Sequence, residues 1–144
     1  MQYFEDKEAG VIVVALSYGD GLLESLREVA KLADIHTGVV ISGIGSLRKG
    51  HIHTVVSNQY PPSDEYIHLE GPLEIAQFGG IIADYQPHFH ISLMTLDRRY
   101  LGGHIEEGCE ILALSEISIL RLPSLRLQRQ RVDESPIAHL RPAK

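Results

Sequence analysis

A chain of 144 residues with 44% apolar side chains is one domain's worth and can bury a single core, which excludes two packed domains. Its 13 Lys and Arg against 19 Asp and Glu give a net charge of -6, the wrong sign for a general affinity for polyanions, and its single cysteine excludes an intrachain disulfide or a thiolate zinc cluster. No apolar run approaches the roughly 18 residues of a spanning helix and the first residues carry no signal pattern, so the expectation is a soluble cytoplasmic protein with no membrane partner.

Residues 11–16 are β-branched and apolar and predict a strand, closed by the turn residues Tyr18-Gly19-Asp20-Gly21. Leu22, Leu26, Val29 and Ala33 recur at helical spacing, which predicts an amphipathic helix over 21–34 with Asp20 as its N-cap. Strand character resumes at 38–42, is interrupted by Gly43-Ile44-Gly45-Ser46, and continues to about residue 57. Residues 58–65, with Pro61 and Pro62, read as an exposed loop. Further extended segments fall at 66–70, 73–82, 89–96, 100–105 and 110–122. One good helix and about seven strands make an α+β fold, mostly antiparallel, in a single domain over 1–144. Residues 1–120 carry 7 basic and 17 acidic side chains, whereas 121–144 carry 6 basic and 2 acidic, so 123–144 reads as a basic edge strand or loosely held tail.

Eight histidines are the compositional oddity, and their spacing carries the chemistry. In Pro87-His88-Phe89-His90, alternation on a strand puts His88 and His90 on one face, close enough to chelate one ion. Gly102-Gly103-His104 follows fourteen residues after His90, across a hairpin at Asp97-Arg98-Arg99-Tyr100. His104 joins that face only if the paired residue numbers sum to an even value, as when 92 lies opposite 104; a three-residue loop gives this and a two-residue loop does not. Three imidazoles without thiolate suit Zn²⁺ first, with Ni²⁺ or Cu²⁺ as substitutes, and leave a position for water or a small-molecule ligand. Binding of such an ion is expected to fail below about pH 6, as ordinary imidazoles protonate. The plainer account is a half-polar sheet face. Candidates for moving a proton nearby are Glu70, Glu106, His53 and His68, each of which is also accounted for as an exposed polar residue. Arg48 and Lys49 could hold an anion or serve only as surface charge, and Cys109 reads as a buried, inert thiol.

These residues also carry a likeness. From about Leu22 to Leu122 the chain resembles the plant and prokaryote conserved (PPC) domain in its prokaryotic single-domain form. The matching pieces are Ile35-His36-Thr37-Gly38, Ser42-Gly43-Ile44-Gly45-Ser46-Leu47-Arg48, Glu70-Gly71-Pro72-Leu73-Glu74-Ile75, Pro87-His88-Phe89-His90-Ile91-Ser92-Leu93 and Leu101-Gly102-Gly103-His104-Ile105 with Gly108. Gly80 departs from relatives, which often have a polar residue there. The resemblance implies a mostly antiparallel sheet of seven strands with helix, a homotrimer, and a metal held by His88, His90 and His104. It also implies a regulatory or DNA-associated role, although plant members touch DNA through an AT-hook that this sequence lacks, and the net charge disfavours nucleic acid. The fold is similar as well to acetolactate decarboxylases and to zinc ester hydrolases, which by analogy implies a zinc-dependent small-molecule hydrolase or lyase as the alternative.

Overall fold

The computed structural model describes residues 1–133 and 135–143. In chain order these form β1 (Gln2–Asp6), β2 (Val11–Ser17), α1 (Leu22–Leu32), β3 (Thr37–Val55), β4 (Asp64–Ala83), β5 (Gln86–Met94), β6 (Tyr100–Ile105), β7 (Glu110–Arg121), β8 (Leu127–Arg131) and β9 (Ala138–Pro142). The first seven strands make one antiparallel sheet in the order β1-β2-β7-β3-β4-β5-β6, in agreement with the α+β expectation. The sheet also turns back on itself. β6 pairs with β5 on one side and with β3 on the other, so β3, β4, β5 and β6 close into a ring.

Alternation sorts the side chains of that ring. Ile52 of β3, Phe89, Ile91 and Leu93 of β5 and Ile105 of β6 point inward and are buried, while the histidines between them point out. The helix completes the core because its apolar stripe repeats every three or four residues: Leu22, Leu26, Val29 and Ala30 are buried, and α1 packs against β2 and β5. Two glycines make the closure possible. A Cβ at Gly103 would lie 2.2 Å from the His53 carbonyl oxygen, so β6 can thread between its neighbours only with no side chain there. At Gly80 the backbone has φ +145°, and a Cβ would lie 2.1 Å from the carbonyl oxygen of His88. Gly80 thus sits on a backbone that only glycine adopts without strain.

Three expectations change and a fourth is narrowed. Asp20 is not the N-cap: Gly21 occupies that position without a side-chain bond, and Asp20 Oδ2 instead accepts from the Ser17 N–H at 2.9 Å. The Leu22 N–H donates to the Cys109 carbonyl at 2.8 Å, so neighbouring backbone does what a side-chain cap would do. β1 is an additional edge strand, set by a turn in which Asp6 Oδ1 accepts from the Glu8 and Ala9 N–H groups at 3.0 Å. Residues 66–70 and 73–82 belong to one 20-residue strand, β4, which bends at Gly71 with φ +105°. Of the basic edge strand or tail expected over 123–144, the described residues show a strand rather than a loose tail: β8 and β9 pair in register from Leu127↔Pro142 to Arg131↔Ala138 as a hairpin separate from the main sheet. The Leu127 N–H donates to Thr37 Oγ1 at 3.1 Å, and Arg129 donates to the carbonyls of Ile81 and Gln86, both at 3.2 Å, which fastens the hairpin to the main body. Lys144, counted above in the basic region, lies outside the described residues.

Candidate metal centre

The β5–β6 hairpin sets the centre. The Thr95 N–H donates to the Arg99 carbonyl at 2.9 Å, leaving a three-residue loop at 96–98 with Arg98 at φ +62°. The register is therefore even, with His90 rather than Ser92 opposite His104. His88, two residues before His90, shares the face. The ring centroids of His88 and His104 lie 4.7 Å apart, those of His90 and His104 5.4 Å and those of His88 and His90 5.6 Å. One nitrogen from each of the three falls within 4.8 Å of the others. Three imidazole nitrogens at that spacing could hold one metal ion after small ring rotations, since a bound first-row ion needs about 2.0–2.1 Å to each.

Closure of the ring brings in a fourth histidine. His53 lies directly across from His104 on the β3–β6 ladder, with ring centroids 4.6 Å apart. Glu106, two residues beyond His104, accepts a 2.6 Å hydrogen bond at Oε1 from the His53 Nδ1–H. With the proton on Nδ1, the neutral ring would present its Nε2 lone pair, the arrangement in which a carboxylate orients a ligating or proton-carrying imidazole. His53, His104 and Glu106 form a second group whose donor atoms converge within 4.8 Å.

Of the other candidates, His68 stacks on His51 with centroids 4.0 Å apart, and Glu70 lines a small cleft of about 130 Å³ with both. Neither His68 nor Glu70 enters either convergent group. The His51 Nδ1–H donates to the Glu107 carbonyl at 2.8 Å. Arg48 and Lys49 are ion-paired with Glu110 at 2.8 and 3.0 Å, which satisfies them without an external anion. Cys109 is fully buried, and burial pushes its thiol up to about 11, so it stays protonated and inert. In all, His51, His53, His68, His88, His90 and His104 share the outer face of the ring.

Burial also prepares the centre for a cation. It pushes His104 down to about 4, with positive charge at His88 and His53 adding to the effect, and it lowers His88 with help from the Arg129 guanidinium. A ligating imidazole must be neutral, and His104 meets that requirement well below the pH 6 at which ordinary imidazoles charge. Beside His88 and His90 opens a groove of about 550 Å³, floored by Gly79, Gly80 and Ile81 and walled on its far side by Arg129, Ala138, His139 and Leu140 of the β8–β9 hairpin.

A profile of the Plants and Prokaryotes Conserved (PCC) domain matches residues 3–123. In sequence the chain is similar to the bifunctional protein GlmU of Synechococcus sp. strain JA-3-3Ab, 28% identical over 112 residues, covering 78% of this chain and 17% of that protein. The chain therefore spans about a sixth of the length of the curated relatives it matches. In structure it is similar to a candidate DNA-binding protein of Bacteroides thetaiotaomicron, with a TM-score of 0.84 at 18% identity over 97% of this chain and 96% of that one. It is also similar to the metal-containing protein AF0104 of Archaeoglobus fulgidus, with a TM-score of 0.77 at 24% identity over 96% and 98%.

Proposed function

Because this chain belongs to the Plants and Prokaryotes Conserved domain family, we propose that it is a zinc-binding homotrimer acting as a regulatory module whose histidine centre exchanges small ligands. The observation that carries the reading is the convergence of His88, His90 and His104 on one exposed sheet face, with the lowered His88 and His104 favouring neutral donors. Three imidazoles without thiolate fit Zn²⁺, and a bound zinc would supply Lewis acidity toward a water or carbonyl oxygen. The metal-containing Archaeoglobus relative supports a cation in this fold. Elemental analysis of protein purified without chelator tests the reading: about one zinc per chain is expected, and protein free of metal after zinc loading and dialysis would overturn it.

The trimer is supported by the outer face of β1, β2, β3 and β7. Phe4 lies opposite Val13, and Ile44 and Leu114 stand on the same side, four apolar side chains that the single helix on the inner face cannot cover. A light-scattering mass of three chains at micromolar concentration is the expected result. A mass of one chain across that range rules the assembly out.

As the isolated protein, the chain is expected not to bind duplex DNA. Arg121 is taken up by Glu5 at 2.7 Å and by the Ala33 carbonyl, and Arg129 by two carbonyls, which among the described residues leaves Arg126, Arg131 and Arg141 as the exposed cations of the hairpin region. Against a net charge of -6 per chain these offer little counterion release. An anisotropy titration with AT-rich duplex at about 0.15 M salt should show no sub-micromolar binding. Tight binding that vanishes on replacing those three arginines with serine would restore the DNA-associated role.

A second reading, a zinc-dependent small-molecule hydrolase or decarboxylase, draws on the groove: about 550 Å³ is the size of a small-molecule site, and the His53–Glu106 pair stands ready to move a proton. Hydrolysis of an activated ester in step with zinc occupancy is its test, and turnover no faster than buffer ends it.

A further inference from the structure

We infer that the β8–β9 hairpin, which lies beyond the family-matched residues 3–123, makes the groove beside His88 and His90 a binding site for small organic carboxylates, with Arg129 as the anion anchor. This rests on the metal centre proposed above only for the ligand's second anchor. The first anchor is independent of any metal.

Arg129 is the pivotal residue. Its two terminal nitrogens donate to the Ile81 and Gln86 carbonyls, which holds the guanidinium against the β4–β5 turn. Ile81 lies opposite His88 in the ladder, so the charge is held at the rim of the histidine face. The other partly buried basic side chains among the described residues have carboxylate partners: Arg27 with Glu107, Arg48 with Glu110 and Arg121 with Glu5. Among the described residues no carboxylate comes within 4.0 Å of Arg129, although it is partly desolvated enough to lower its own proton affinity. A half-buried guanidinium with five donors, two of them committed to carbonyls, is an incomplete ion pair, and a planar carboxylate is the group its remaining donors match.

The walls specify the rest of the ligand. Ile81, Ala138 and Leu140 are apolar, and Gly79 and Gly80 present bare backbone, so an inorganic anion would leave most of the lining unfilled. An organic acid with a small apolar body covers those walls while its carboxylate reaches Arg129. His139 adds a second polar group on the hairpin side, and the opposite end of the groove opens on His88 and His90. The hairpin is therefore a specificity element laid over a site that the remainder of the domain would leave open.

The test uses benzoate, with benzamide as the neutral mimic of the same shape, titrated by calorimetry into zinc-free and zinc-loaded full-length protein while ¹H–¹⁵N shifts locate the site. Benzoate should bind the zinc-free protein with a Kd of about 1 mM or tighter, shifting amides at 79–81 and 138–140, and benzamide should bind about tenfold more weakly. Arg129→Gln should weaken benzoate at least about tenfold. Because that change also loosens the hairpin, Ala138→Glu gives a separate reading: it keeps both carbonyl bonds of Arg129, supplies an internal carboxylate to the groove and should abolish benzoate binding. Equal affinity for benzoate and benzamide, no binding by the zinc-free protein, or binding unchanged in both variants would each overturn the inference. Zinc content measured on the same samples keeps the two proposals apart, since metal can be lost with benzoate binding intact and the reverse.

Discussion

His90→Ala protein should carry far less zinc than the wild type, with zinc affinity lower by about a hundredfold or more while the fold is kept. His90 faces outward between buried Phe89 and Ile91, so its removal leaves the core untouched and takes one of three converging donors from the centre. Equal metal content in the two proteins would refute the three-histidine site. The acid profile gives a second readout. For a histidine whose folded pKa is depressed, the neutral form is favoured in the fold and the proton in the unfolded chain. The stability it contributes is thus present above about 6.5 and is lost as pH falls through about 4. The same depression keeps His104 available as a ligand at pH 6. Zinc should accordingly still be bound at pH 6 and be released between there and about 4. Complete release at pH 6 would show that proton competition follows ordinary imidazoles instead.

Leu26→Asp should unfold the domain. Leu26 is fully buried at the centre of the α1 stripe, among the residues that join the helix to β2 and β5. The substitution removes a buried apolar side chain, worth about 3 kcal/mol or more with its cavity, and puts an unpaired carboxylate in its place. The sum rivals the roughly 5–15 kcal/mol that holds a domain of this size together. Loss of the cooperative thermal transition, with Glu28→Ala on the exposed face melting like the wild type, is the expected pair of results. A soluble Leu26→Asp protein with a wild-type melting curve would mean that the helix does not seal the core.

The helix was legible because four apolar residues at 22, 26, 29 and 33 leave little choice of period, and the hairpin of β5 and β6 because parity alone constrains where His104 can face. The cap was not, since the group satisfying the Leu22 N–H is a backbone carbonyl 87 positions away in sequence, at Cys109. β1 hides because an edge strand with Glu5 and Asp6 lacks the apolar alternation of an interior one. β8 falls where a basic edge strand or tail was expected, but its pairing with β9 was not legible: Gln128, Arg129, Gln130 and Arg131 carry no apolar alternation, and what fixes the pair is the Leu127 bond to Thr37 and the two hydrogen bonds from Arg129 to β4 and β5. At the site, His88, His90 and His104 could be grouped from spacing within one hairpin. His53 could be named but not joined to them, because its meeting with His104 depends on β6 returning to β3, and the local signal for that is the missing side chain at Gly103.

The ring has a bearing on how copies of this chain can meet. Every strand of the main sheet except β1 has a neighbour on both sides, and two of the stretches of ladder left open, along β1 and at the start of β4, carry Asp6, Asp64 and Glu65, with Glu5 paired to Arg121. Two such borders brought together would oppose carboxylate to carboxylate, so growth by adding strand to strand is discouraged in both directions. Contact through the broad side is led by the apolar Phe4, Val13, Ile44 and Leu114, with Glu116 set among them. A layer that meets its copies by its flank stops after a few of them, whereas one that meets them by its border can grow into a ribbon, and the distribution of charge here permits the first.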